Sequence, residues 1–188
     1  EFNGIKFFNN QGFKLPDAVE NEIEKIILES QPVPLKDGGS IRHLEQPESF
    51  YLNHIKKAVQ GDFTGLKVVI DCAHGASYAI APTFFRSLGA EVIVIGDSPD
   101  GQNINAGCGS THLQPLQRRV VTEKADIGIA FDGDADRCLA VDCAGNIIDG
   151  DKIMNLIGSR MKACNKLKKD TVVVTVMSNI GLDMALKE

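Results

Sequence analysis

The sequence has no C-x-x-C pair, no excess of basic residues and no long apolar run, and each gap closes off a class of protein. Five cysteines, Cys72, Cys108, Cys138, Cys143 and Cys164, are an odd number. Without paired spacing they do not read as a zinc or dithiol redox site, and reduced structural thiols are expected. Lys and Arg number 20 against 25 Asp and Glu, a formal net charge of −5. That balance argues against nucleic acid as a main partner and repels phosphates at long range unless a local cation or Arg compensates. No stretch approaches the ~18 apolar residues of a membrane span, and the start lacks the basic, hydrophobic, small-residue succession of a signal peptide. No membrane association and a cytoplasmic location are expected. Two glycine-containing loops lack both G-x-G-x-x-G and the Walker lysine, so nucleotide binding has little support.

What is present is an ordinary globular composition. The 188 residues are 43% hydrophobic and 24% charged, enough for a real core in one domain or two small ones. The chain opens on Glu1-Phe2-Asn3-Gly4 without Met and closes on Leu186-Lys187-Glu188, a few residues into what reads as a new helix. It is therefore expected to be an internal piece of a longer protein.

The pattern of apolar residues divides the chain. Ile5-Lys6-Phe7-Phe8 is a short strand candidate, and residues 16–30 place Val19, Ile23, Ile26 and Ile27 at helical spacing. Residues 31–39, with Pro32, Pro34, Gly38 and Gly39, read as a linker, and a second helix is expected over 48–59. From Lys67 the rhythm becomes strand (67–71), helix (within 77–88, Pro82 in its first turns), strand (91–95), a long loop, helix (113–123) and strand (126–131). Such alternation predicts a mixed, mostly parallel α/β sheet with helices on both faces. Residues 138–142 and 146–148, joined through Ala144-Gly145, read as an antiparallel hairpin. A helix over 151–162, a buried strand over 171–176 and a helix from about Ser178 follow.

The sharpest chemical feature is Phe131-Asp132-Gly133-Asp134-Ala135-Asp136-Arg137, with a carboxylate at every second position. Small spacers let the backbone fold tightly enough for the three acids to converge. Two unit charges ~4 Å apart at an effective dielectric of ~20 repel by ~4 kcal/mol, so three would cost on the order of 12 kcal/mol uncompensated. A hard divalent cation answers that cost, with Mg²⁺ the leading choice, Asp132, Asp134 and Asp136 as ligands and open positions for water or a phosphate oxygen. An EF-hand does not fit, because its sixth and twelfth loop positions would be Arg137 and Cys143. Arg137 suits bidentate recognition of a phosphate or carboxylate, and it also neutralises surplus acid. The loops 71–77 and 107–112 could each offer backbone N–H groups to an anion, but tight strand-to-helix packing is the preferred reading of both. On these residues alone, a cation-binding α/β module without turnover stays open.

The D-G-D-A-D-R loop resembles that of the α-D-phosphohexomutases. Further matching stretches occur in order along the whole chain: Asn3-Gly4-Ile5-Lys6-Phe7-Phe8, Gly12-Phe13-Lys14-Leu15, Asp71-Cys72-Ala73-His74-Gly75-Ala76, Asn103-Ile104-Asn105, Asp149-Gly150-Asp151 and Val176-Met177-Ser178-Asn179-Ile180-Gly181. Cys108-Gly109-Ser110-Thr111-His112 is similar to the branch acting on glucosamine phosphate, with the glucose and mannose phosphate branches as the alternative. The resemblance implies a four-domain enzyme interconverting glucosamine 6-phosphate and glucosamine 1-phosphate through a phosphoserine and a bisphosphorylated sugar. Asp132, Asp134 and Asp136 would then hold Mg²⁺, Arg137 would help hold the transferring phosphoryl group, and Lys6 would be a candidate for proton transfer. Residues 1–44 would be the end of the first domain, 45–149 the second domain and 150–188 the opening of the third. The family's Ser-His-Asn-Pro loop is not in this sequence, so the chain alone is expected to be inactive. A homodimer stays open.

Overall fold

The computed structural model describes residues 7–29, 40, 43–59 and 61–186. The chain forms two compact units, Glu1–Leu44 and Glu45–Glu188. In the first, Phe8 bridges Lys14 in antiparallel fashion across the turn at Asn9, whose side chain accepts the N–H groups of Gln11 and Phe13. Helix α1, Asp17–Leu28, follows. Lys14 pairs with Glu20 at 2.8 Å, while the apolar side chains of α1 stay open, Ile27 being 68% exposed. Of the expected first strand only Phe7 and Phe8 are described; the linker over 31–39 and Lys6 lie outside the described residues.

The second unit begins with α2, Pro47–Lys56, which has Pro in its first turn. Its centre is a five-stranded sheet in the order β2-β1-β3-β4-β5. Strands β1 (Lys67–Asp71), β2 (Glu91–Ile95) and β3 (Ile127–Phe131) are parallel, while β4 (Cys138–Asp142) and β5 (Ile147–Ile148) complete it antiparallel. The β4–β5 turn is organised by Asp142, whose carboxylate accepts the N–H groups of Ala144 and Asn146.

Alternation along β1 sends its side chains to two separate cores. Val69 meets Leu116 and Val120 of α4, Gln114–Glu123, together with Ala130 and Val141. Val68 and Ile70 face the other way, toward Ala81 and Phe85 of α3, Ala81–Ser87, with Phe63 behind them. Pro82 lies in the first turn of α3, where its missing N–H costs no helical bond. Both faces are thus covered, but unequally. The seven-residue α3 leaves Ile127, Ile129 and Phe131 only partly buried.

Beyond the sheet, α5 (Gly150–Ala163) is capped by Asp149, whose side chain accepts the Lys152 N–H at 2.9 Å, and α6 is Ile180–Ala185. The strand expected over 171–176 does not form. Thr171, Val173 and Val176 belong to no ladder, and Val173 and Val176 are 89% and 101% exposed. A strand exists only by pairing, and no strand of the sheet lies beside this segment among the described residues. It borders instead a cavity of about 910 Å³ lined by Gly158, Val172, Val174, Leu182 and Leu186.

Candidate metal centre

The C-terminal ends of parallel strands are where open α/β sheets present their loops to ligands. Asp132 follows β3 directly, and its carbonyl accepts the Ala135 N–H at 3.0 Å, closing a tight turn. Ala135 completes that turn at φ +60°. Reversal over so few residues brings the acids together: one carboxylate oxygen each from Asp132, Asp134 and Asp136 lies within 4.8 Å of the others. The structure therefore converges the three predicted ligands.

Their environments differ. Asp132 is 1% exposed, while Asp134 and Asp136 face solvent. A buried carboxylate must be compensated. Arg137 does this three times over: its backbone N–H reaches Oδ1 at 2.9 Å, its Nε–H reaches Oδ2 at 2.8 Å and its Nη2 lies 2.7 Å from Oδ2. Burial pushes the Asp132 carboxyl up, but the Arg137 hydrogen bonds and charge outweigh it and hold the group below the usual aspartate range. Asp136 goes the other way, raised chiefly by the Asp134 charge, although Arg137 Nε lies 3.7 Å from it. One guanidinium thus leaves the cluster short of positive charge. Three oxygen donors with no imidazole or thiolate among them fit a hard divalent cation.

The loop is wedged in place from below. Ala76 donates its N–H to the Gly133 carbonyl at 2.8 Å, and a β-carbon on Gly75 would clash with that same oxygen, so only glycine fits. Asn105 donates its backbone N–H to Ala73, and its Nδ2 lies 2.7 Å from where a β-carbon on Gly133 would stand. Asn105 Oδ1 is the one buried side-chain polar atom without a hydrogen-bond partner among the described residues. In loops 71–77 and 107–112 the N–H groups of Ala73, Ala76 and Gly109 are spent on Asp71 and Gly133, so these loops pack rather than present an anion cradle. Asp71, fully buried at the end of β1, begins one of the family-like stretches but is given no role of its own by the motif reading. Its signal was an acid closing the apolar run Val68-Val69-Ile70.

A family profile described as phosphoglucomutase/phosphomannomutase, alpha/beta/alpha domain II, matches residues 49–145, which include the whole sheet except its last strand. The chain belongs to that family. Among curated relatives, a phosphoglucosamine mutase of Acetivibrio thermocellus is 55% identical over 191 residues, and one of Caldicellulosiruptor saccharolyticus is 55% identical over 193. Both alignments take in 100% of this chain, which spans 42% and 43% of the relatives' own lengths. The fold is shared with a phosphoglucomutase/phosphomannomutase family protein of Burkholderia thailandensis at a TM-score of 0.61 and 24% identity, covering 80% of this chain and 32% of that one. No helix among the described residues is long and apolar enough to cross a membrane.

Proposed function

We propose that the protein is a phosphoglucosamine mutase, interconverting glucosamine 6-phosphate and glucosamine 1-phosphate, and that this chain carries its cation loop. The observation that carries the reading is the convergence of three aspartates at the end of β3 with Arg137 anchored on the buried one. Asp132, Asp134 and Asp136 would hold Mg²⁺, which when bound supplies positive charge to the oxygens of a transferring phosphoryl group.

The chain's own residues have separable tasks. Asp132 is fixed by Arg137 and gives the loop a rigid floor, while Asp134 and Asp136 face outward. Arg137 spends its Nε–H and an Nη2 donor on Asp132 yet keeps its side chain 66% exposed, so its remaining N–H groups can receive phosphoryl oxygens. Phosphoryl transfer is carried mainly by positioning and charge neutralisation, and this is what such a loop provides in an acidic protein. Lys6 is assigned proton transfer on the resemblance of its motif alone. The same reading makes residues 1–44 the end of a first domain, 45–149 a second domain and 150–188 the opening of a third; the compact units meeting at Leu44 and Glu45 support the first of these boundaries. It also makes the protein cytoplasmic, in keeping with its free cysteines.

The test is turnover of glucosamine 6-phosphate by the protein at full natural length, with and without Asp134→Asn. A fall of at least about 100-fold in kcat/KM is expected, comparable to removing one stabilising group from a transition state. Retention of more than a tenth of the activity would overturn the role given to the loop. Preferred turnover of glucose or mannose phosphates would reassign the enzyme to phosphoglucomutase or phosphomannomutase.

A further inference from the structure

Among the described residues, Asp71 is the most deeply buried acid outside the carboxylate cluster, with none of its surface exposed. Its two oxygens serve two different segments. Oδ1 accepts the Ala73 N–H at 3.0 Å, and Oδ2 accepts the Gly109 N–H at 2.8 Å. Both partners are backbone donors, so the site calls for an acceptor on each side, which a carboxylate offers and an amide does not.

Each of those segments presses on the backbone that carries the aspartates. On one side, Ala73 and His74 are consecutive non-glycine residues at φ +53° and +49°, a strained conformation that persists only when its surroundings over-determine it. The bonds that hold this pair include Ala73 N–H to Asp71, Asn105 N–H to the Ala73 carbonyl at 2.9 Å, His74 N–H to the Gly96 carbonyl at 2.6 Å and Ser98 N–H to His74 Nδ1 at 3.1 Å. The left-handed pair then delivers Gly75 and Ala76 onto the Gly133 carbonyl. On the other side, a β-carbon on Gly109 would lie 2.6 Å from the Phe131 carbonyl oxygen and 2.6 Å from Ala73 Cβ, so Gly109 is packed against both the strand end and the first segment. The span from Phe131 to Gly133 immediately precedes Asp134 and Asp136, whose side chains face solvent.

We propose that Asp71 is a positioning residue of the metal centre: its buried carboxylate clamps the 73–76 turn and Gly109 against residues 131–133 and so sets the convergence of Asp132, Asp134 and Asp136, without itself reaching the cation. The proposal rests on reading the cluster as a cation site. It accounts for an acid at the end of a strand whose other inward positions are Val68, Val69 and Ile70.

The test is Mn²⁺ binding to the protein at full natural length, read from the electron paramagnetic resonance of the free ion, for the wild type, Asp71→Asn and Val69→Ala. Asp71→Asn keeps the shape and deprives one of the two N–H groups of its acceptor. It is expected to weaken Mn²⁺ about tenfold, the scale of changes in groups that orient ligands. Val69→Ala removes core packing on the same strand and is expected to lower Tm while leaving the Kd within twofold, which separates positioning from general destabilisation. By reciprocity, saturating Mg²⁺ is expected to slow hydrogen exchange at residues 73–76 and at Gly109 in the wild type, although none of these is a ligand. An Asp71→Asn Kd within twofold of wild type overturns the proposal. Should that variant not fold, unchanged exchange at residues 73–76 and Gly109 overturns it instead. Absence of saturable Mn²⁺ binding by the wild type overturns the cation reading and this proposal with it, a different result from binding that the variant leaves intact.

Discussion

At the residue scale, the carboxylate loop is governed by one pairing. Asp132 tolerates burial because Arg137 supplies three contacts to it, and those contacts hold its pKa down against desolvation. A carboxyl with a lowered folded pKa contributes stability that is present above its unfolded value and lost as pH falls through the folded one. Arg137→Met takes away two of the three contacts and leaves the desolvation, so the Asp132 carboxyl is expected to move up. Tm of the variant should then fall below wild type at neutral pH, and the difference should narrow as the pH falls below the usual aspartate range toward the lowered pKa of Asp132 in the wild type. Thermal unfolding from pH 7 down to pH 3, with the Asp132 carboxyl followed by NMR, checks both parts. An equal Tm deficit at every pH would mean that Arg137 acts through packing alone.

At the element scale, α4 is what makes β1 and β3 a platform. Leu116 and Val120 are fully buried against Val69, Ala130 and Val141, whereas the opposite face relies on the much shorter α3. Leu116→Ala should therefore cost ~2–5 kcal/mol in urea unfolding, the range for a buried leucine whose cavity cannot collapse. A cost under ~1 kcal/mol would show that the α4 core is less tightly packed than its burial indicates. The contrast with residues 171–176 is instructive. Val172-Val173-Val174 has as strong a strand composition as Val68-Val69-Ile70, yet only the second run has neighbouring strands on both sides. Propensity and periodicity read a segment's fitness for a sheet, and the sheet itself is made of partners. That is why the 67–71, 91–95 and 126–131 strands were legible and the last one was misread.

At the scale of the whole molecule, a net charge of −5 disfavours phosphate, and the fold answers locally. The sheet gathers three of the chain's acids at one strand end, where Asp136 is raised by its neighbour Asp134, and sets Arg137 beside them. A ligand that relieves this repulsion binds only the folded state and stabilises it by mass action, by ~2.7 kcal/mol when it is present at 100 times its Kd. Mg²⁺ is accordingly expected to raise Tm in a saturable way, with affinity weaker than micromolar because Arg137 already occupies both oxygens of Asp132. Asp134→Asn combined with Asp136→Asn should abolish the shift. A Tm unchanged by millimolar Mg²⁺ in the wild type would sink the cation reading.

The amino-acid sequence by itself determined the alternation of strands and helices, the hairpin through Ala144-Gly145 and the identity of the three aspartates and their arginine. These are local matters of periodicity, turn chemistry and spacing. Only the tertiary structure decided which aspartate is buried, that Arg137 is committed to it, that residues 171–176 remain unpaired, and that Asp71 joins its own loop at Ala73 to the distant Gly109. The burial of Asp132, the unpaired 171–176 segment and the Asp71–Gly109 bond depend on residues far apart in the chain, 38 positions in the last case, whereas the Arg137–Asp132 pair spans only five positions and depends on how the turn between them folds.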